Sequence, residues 1–141
     1  MHMASGAVLI RSGVPQAGTQ PSGAGFPYPS SAIDMAKIIR ASGFEVKFEH
    51  EKSSRNYISL HGADQWLPVI QVAHELIIAT EAHILSDWII SLLGREKAHK
   101  DTLHIKYFVS MNDGTSKQLE MSGTGEDVLR ALDTFEQDLR D

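Results

Sequence analysis

Histidine and carboxylate pairs inside one otherwise apolar stretch are the residues of this sequence best spaced to do chemistry. His74-Glu75 begins the pattern of a zinc-protease helix, in which a second histidine four positions after the first shares its face and completes the metal pair. Position 78 is Ile, so the motif fails. His83 and Asp87 are four apart, and on a helix they would meet as a metal pair or as a base with its orienting acid. A working site needs further ligands that local spacing does not supply. The preferred reading of the pair is a structural hydrogen bond or a contact, with no catalytic, cofactor-binding or metal-ligating residue expected.

Other patterns exclude more than they propose. Of the seven histidines, His2, His50, His61, His99 and His104 fall near the start, on outward strand positions or in a link, where water solvates them. A pH-sensitive contact through His74 or His83 would use an imidazole that titrates near neutrality. Gly123-Thr124-Gly125 reads as a hairpin exit followed by a helix cap, and no Gly-x-Ser-x-Gly nucleophile elbow occurs. The absence of cysteine removes disulfides, thiolate nucleophiles and Cys-type zinc sites, which suits a reducing cytoplasm. Thirteen Lys and Arg against eighteen Asp and Glu give a net charge of −5 with no basic block, so nucleic acid is not an expected partner.

The elements that would position these residues follow from periodicity. Residues 1–30 are rich in Gly, Ser, Pro and Ala and read as a flexible lead-in, with Met1 to Ser5 resembling an expression-vector scar and Val8-Leu9-Ile10 as an apolar island able to add an edge strand. Residues 31–141 then form a single α+β domain. Ser30 or Ser31 caps a helix over Ala32 to Ala41, with Ile33, Ala36 and Ile39 at helical spacing and Gly43 as its stop. Phe44, Val46 and Phe48 alternate with charged residues as a strand, and Ile58 and Leu60 continue as its hairpin partner after the polar loop 51–56. Leu103 to Val109 alternate as a third strand, Asn112-Asp113-Gly114 makes a hairpin turn, and Leu119 and Met121 lie on the return strand. Thr124 with Asp127 starts a final helix whose Val128, Leu129, Leu132, Phe135 and Leu139 form one stripe. The expected fold is a four-stranded antiparallel sheet from two β-hairpins, with a long central helix and two shorter helices packed on one face.

The long helix is the stretch Asp64 to Gly94, with Pro68 in its first turn. At about 1.5 Å per residue it would run roughly 45 Å, longer than the roughly 34 Å diameter of a compact domain this size. Trp66, Ile77, Ile84 and Trp88 make one stripe, and Leu67, Val72, Leu85 and Ile90 lie off it, so either the helix breaks or its surplus apolar surface is covered by another polypeptide. A membrane span is not expected: three acids cost roughly +9 kcal/mol against roughly −4 to −8 from the aliphatic residues. Trp66, Ile84, Trp88 and the outward-facing Phe108 are the expected interface residues, since aromatics carry much of interface energy.

The residues Ile89 to Lys97, Thr102 to Val109, the Asn112-Asp113-Gly114 turn, Leu119 to Met121 and Val128 to Leu132, in the order helix, hairpin, long apolar helix, hairpin, helix, resemble the effector-associated constant component family over roughly residues 32–139. Where that family tends to carry small residues and glycines along the apolar helix, this chain has Glu75, Glu81, His83 and Asp87. The resemblance implies a non-catalytic accessory domain that couples effectors to other components in bacterial conflict or signalling systems. The function expected is thus a protein–protein interaction module, self-associating through the long helix or docking a protein partner. The alternative is a small-molecule- or metal-binding domain, enzymatic if His83 and Asp87 act, with a pocket between helix and sheet.

Overall fold

The computed structural model of the chain describes residues 7–14, 25–59, 64–80 and 83–141, and the fold is built from these. The strands are β1 (Ala7–Arg11), β2 (Phe26–Pro29), β3 (Glu45–Phe48), β4 (Arg55–Ile58), β5 (Asp64–Trp66), β6 (Val69–Ala73), β7 (Thr102–Ser110) and β8 (Ser116–Thr124). The helices are α1 (Ser31–Ala41), α2 (His74–Ala79), α3 (Ile84–Leu93), α4 (Arg95–Lys100) and α5 (Gly125–Arg140). The mixed α+β class holds; the four-stranded antiparallel sheet and the long central helix do not.

The main sheet runs β3-β1-β6-β7, with β8 on the far side of β7. β1 is parallel to β3 and antiparallel to β6, β6 is parallel to β7, and β7 and β8 form the expected antiparallel hairpin. Because β8 pairs with β7 along its whole length, β5 and β6 share the other side of β7, as one strand interrupted at Leu67-Pro68. Proline has no N–H to give a ladder, so the strand breaks there and resumes one turn of the pleat later. A separate two-stranded parallel sheet joins β2 to β4. The expected first hairpin is therefore absent: β3 pairs with β1 and β4 pairs with β2.

Two expectations fail together. Val8 and Ile10 are fully buried on a strand paired on both sides, and Tyr28 on β2 is fully buried as well, so residues 7–14 and 25–30 belong to the fold and are not a flexible lead-in. The stretch expected as one helix contains β5, β6, α2 and α3. Its run Val69-Ile70-Gln71-Val72 is rich in β-branched residues and sits between two neighbouring strands, which pair with both of its edges; with apolar side chains at three of its four positions, such a run has no clear period to separate it from a buried helix. Helix α3 buries Ile84, Leu85, Trp88 and Ile89 inside its own fold and α2 buries Leu76 and Ile77. The surplus apolar surface that pointed to self-association through this segment is thereby used up, and the largest exposed remnant is Ile78 at 51%. No described helix is long and apolar enough to cross a membrane. Leu60, His61 and Glu81 lie outside the described residues.

Where local signals were strong, sequence and structure agree. Helix α1 starts after Ser30 and stops at Gly43 in a positive-φ conformation, although Ile33 faces water and Met35 takes a core position instead. Gly94, also at positive φ, ends α3 and begins α4. In the β7–β8 turn, the Gly114 N–H donates to the Met111 carbonyl and the Met111 N–H to the Thr115 carbonyl, while Asp113 accepts from the Thr115 backbone and hydroxyl. Helix α5 buries Val128, Leu129 and Leu132 as expected.

Helices α1, α3 and α5 cover the sheet face that carries Val8, Ile10, Ile70, Val72, Leu103, Ile105, Tyr107 and Val109. One close approach in this layer is at Gly125, the first residue of α5, whose missing Cβ would overlap the carbonyl oxygen of Ala98 on α4. Gly125→Ala must push α4 off α5, and we expect it to lower unfolding free energy by about 3 kcal/mol in a urea titration, the upper end for overpacking. An unchanged midpoint would show that α4 yields freely.

Candidate interaction surfaces

The register of the sheet fixes what stands on its other face, over which no described helix lies. One row reads Lys47, Leu9, Gln71, Phe108 and Gln118 across β3, β1, β6, β7 and β8. On the next, Arg11 pairs with Val69, and Lys106 with Glu120. Phe108 is half-buried in the middle of this face. The Arg11 guanidinium lies 4.4 Å above its ring centroid and the Lys106 ammonium 5.6 Å away, both within cation–π range. Arg11 also donates to Gln71 Oε1 at 3.4 Å, and Gln71 donates to Ser110 Oγ at 2.7 Å, which holds the guanidinium over the ring. A depression of about 100 Å³ opens beside them, lined by Arg11, Gly13, Val69, Lys106, Phe108 and Glu120.

Further along β7 the same face carries an acid, an imidazole and a hydroxyl in line. His104 Nε2 is 2.8 Å from Asp64 Oδ2, and its Nδ1 is 2.6 Å from Ser122 Oγ. The Trp66 ring stacks on the imidazole with centroids 3.7 Å apart and planes 8° from parallel. With Asp64 accepting from Nε2–H, Nδ1 is free to accept the serine proton, which is the polarity of a general-base relay. The support for acyl transfer stops there. Ser122 stands on a regular strand, where side chains are perpendicular to the sheet and the N–H groups lie in its plane, so strand amides do not converge on an oxyanion held above Oγ. The relay does bind three strands to one another and fixes β5 after its break.

On the covered side the polar groups are also engaged. Glu136, an acidic side chain on the inner stripe of α5, has no exposure to water. Its carboxylate accepts from the backbone N–H groups of Ile84 at 3.1 Å and Leu85 at 3.3 Å, and from the Tyr107 hydroxyl at 2.7 Å. It thus caps the start of α3 from a neighbouring helix. Burial raises the Glu136 carboxyl above its ordinary value, against the lowering effects of the Tyr107 and Leu85 hydrogen bonds, the Arg140 charge and the Ile84 amide. Burial first, and then the Glu136 charge, push the Tyr107 phenol well up. His74 Nε2 is 2.7 Å from the Leu139 carbonyl oxygen, a link between α2 and α5.

His83 and Asp87 do not meet as a pair. His83 precedes α3 and its Nδ1 is 3.4 Å from Asp133 Oδ1, an atom that also accepts from Ser86 Oγ at 2.7 Å. Asp87 instead borders a depression of about 240 Å³ between α3 and the turn after α1, with Phe44 and Trp88 among its walls. No group of three or more His, Asp or Glu side chains is placed to hold a metal among the described residues. Of the four expected interface residues, Ile84 and Trp88 are each 4% exposed and belong to the core, whereas Trp66 and Phe108 stand on the open face. The residues missed by sequence reasoning are Asp64, His104 and Ser122 as a set, and Arg11 and Glu136. The only local signal was alternation, which placed His104 and Phe108 on one side of their strand.

Comparison with family models, with curated proteins and with solved structures finds no match. The residues that carry the resemblance to the effector-associated constant component family fall on α3, α4, β7, the 112–114 turn, β8 and α5.

Because native Glu136 holds its proton more tightly than the unfolded chain does, the stability tied to this group is full below its ordinary value of 4.5 and declines as pH rises through the raised one. Thermal melts of Glu136→Gln should lack that decline, so the wild type loses stability relative to the variant on going from acid to neutral pH. Parallel curves would mean that Glu136 titrates as it does in the unfolded chain.

Proposed function

We propose that this chain is a non-catalytic protein–protein interaction module, that its docking surface is the open face of the sheet, and that the partner is a polypeptide bearing acidic side chains. The observation that carries this reading is Phe108: an aromatic in the middle of a face no described helix covers, with the Arg11 and Lys106 cations both over its ring. Aromatic residues and arginine carry much of the energy where interfaces have been dissected, and charges around them select the partner. Trp66 extends the same face. Coupling an effector to another component of a bacterial conflict or signalling system, as the family resemblance implies, is a role such a face would serve, and the lack of cysteine suits work in the cytoplasm.

The Asp64–His104–Ser122 line supports a second, enzymatic reading, and one experiment separates the two. A fluorophosphonate probe should label the wild type no more than Ser122→Ala, and a photo-crosslinking residue in place of Phe108 should give a discrete adduct in cells where the same residue in place of the exposed Ile78 does not. Labelling lost in Ser122→Ala and in His104→Ala would favour the hydrolase. Equal adducts from positions 78 and 108 would remove the open face as a docking surface.

A further inference from the structure

The two edges of the main sheet are built differently. Edge strand β3 is four residues long, and its outward side chains Glu45 and Lys47 form an ion pair at 3.7 Å, which are two of the usual protections against stray pairing. Edge strand β8 is nine residues long, contains no proline, and among the described residues pairs with β7 alone. Its backbone polarity can be read from its ends. The Met111 N–H donates to the Thr115 carbonyl at one end of the hairpin, and the Gly125 N–H donates to the Asp101 carbonyl at the other. By the alternation of an antiparallel ladder, the odd-numbered residues of β8 direct N–H and C=O toward β7, and Ser116, Gln118, Glu120 and Ser122 direct theirs to the free edge.

We infer that β8 is the seat of a two-fold homodimer in which the β8 strands of two copies pair antiparallel, Leu119 against Leu119, to make one continuous sheet. This goes beyond the docking function proposed above and does not rest on it. The occupant is a second copy because the strand is complementary to itself in this register. With the axis at Leu119, Gln118 faces Glu120 of the other copy and Lys117 faces Met121, so no like charges meet, and the outward amides of Gln118 and Glu120 fall into hydrogen-bonded pairs. Moving the axis by one residue to Glu120 sets two carboxylates directly opposite, which is unfavourable. The side chains agree with the backbone. Leu119 and Met121 on the helix side of β8 are half-buried, and so is Phe135 on α5, whose flank away from α2 and α3 opens as a shallow groove of about 510 Å³ lined by Asp127, Arg130, Ala131, Thr134, Phe135 and Asp138. The two-fold axis runs perpendicular to the sheet, so the α5 helices of the two copies lie side by side on one face. Both open faces with their Phe108 residues then join on the other.

The chain has no cysteine, so a single introduced one reports the register directly. In this pairing Leu119 and its mate form a non-hydrogen-bonded pair with Cα atoms about 4.5 Å apart, within the range of a disulfide, while two copies of residue 118 stand on a diagonal at about 7–8 Å. Under mild oxidation Leu119→Cys should give about tenfold more disulfide dimer than Gln118→Cys, following that geometric limit. Light scattering of the wild type at micromolar concentration should give a mass above the 15.5 kDa of one chain. Amide exchange in the wild type covers the case in which the cysteine variant fails to fold: Gln118 and Glu120 amides should be protected, and should lose protection on dilution. A monomer across that range, or Gln118 and Glu120 amides that exchange freely in a dimer, overturns the inference. A dimer with protected amides but with stronger cross-linking from position 118 overturns the register and hence the proposed axis, and the open-face reading stands apart from each of these outcomes.

Discussion

Glu136 is the constraint on which the arrangement of helices depends. A carboxylate taken out of water is costly unless donors replace its hydration, and here three do: two amides at the start of α3 and the hydroxyl of Tyr107. Those donors come from a helix and from the central strand β7, whereas the carboxylate comes from α5, so the three elements must meet at one point for any of the groups to be satisfied. The first amides of α3 need an acceptor, and no side-chain cap is supplied by His83 in front of it. Hydrogen bonds of this kind fix position in a way that the surrounding aliphatic contacts do not, because aliphatic packing tolerates sliding and a buried carboxylate does not.

With α3 and α5 fixed over the sheet, the division of labour between its faces follows. One face is an ordinary hydrophobic core. The other is left with the alternate residues of every strand, and the chain has made that face polar but not inert: a relay of acid, imidazole and hydroxyl at one end, and a basic-flanked aromatic near the middle. Both arrangements depend on strands that are far apart in sequence. Arg11 reaches Phe108 only because β1 lies one strand away from β7, and Asp64 reaches His104 only because β5 resumes pairing below the break at Pro68. The same sheet leaves one edge short and charged and the other long and open, so the places where another polypeptide could engage this fold are set by strand order as much as by side-chain chemistry.

The chain's local chemistry was legible where a signal is complete within a few residues. The helix ended by Gly43, the Asn112-Asp113-Gly114 turn with the strands on either side of it, and the stripe of α5 all depend on contacts between near neighbours, and all are present in the fold. Residues 64–94 carry no such local signal, for a physical reason. A strand buried between two others and a helix buried on most sides present the same nearly unbroken apolar run, and Val69 to Val72 gives no period with which to tell them apart. Pro68 was equally ambiguous, since a proline is tolerated in the first turn of a helix and at the break of a strand alike. The residues before position 31 are poor in apolar side chains, but burial depends on which neighbours arrive: Val8 and Ile10 are buried because β3 and β6 close on either side of them.

By itself, then, the sequence determined the mixed α+β class, the second hairpin, the first and last helices and the exclusion of cysteine chemistry, because composition and short-range periodicity are properties of the chain before it folds. Strand order, the fate of the apolar stretch, the partner of His83 and the grouping of Asp64, His104 and Ser122 were decided only by the tertiary structure. Each is a pairing between segments tens of residues apart, and nothing in a local pattern records which distant segment will supply the other half of a hydrogen bond.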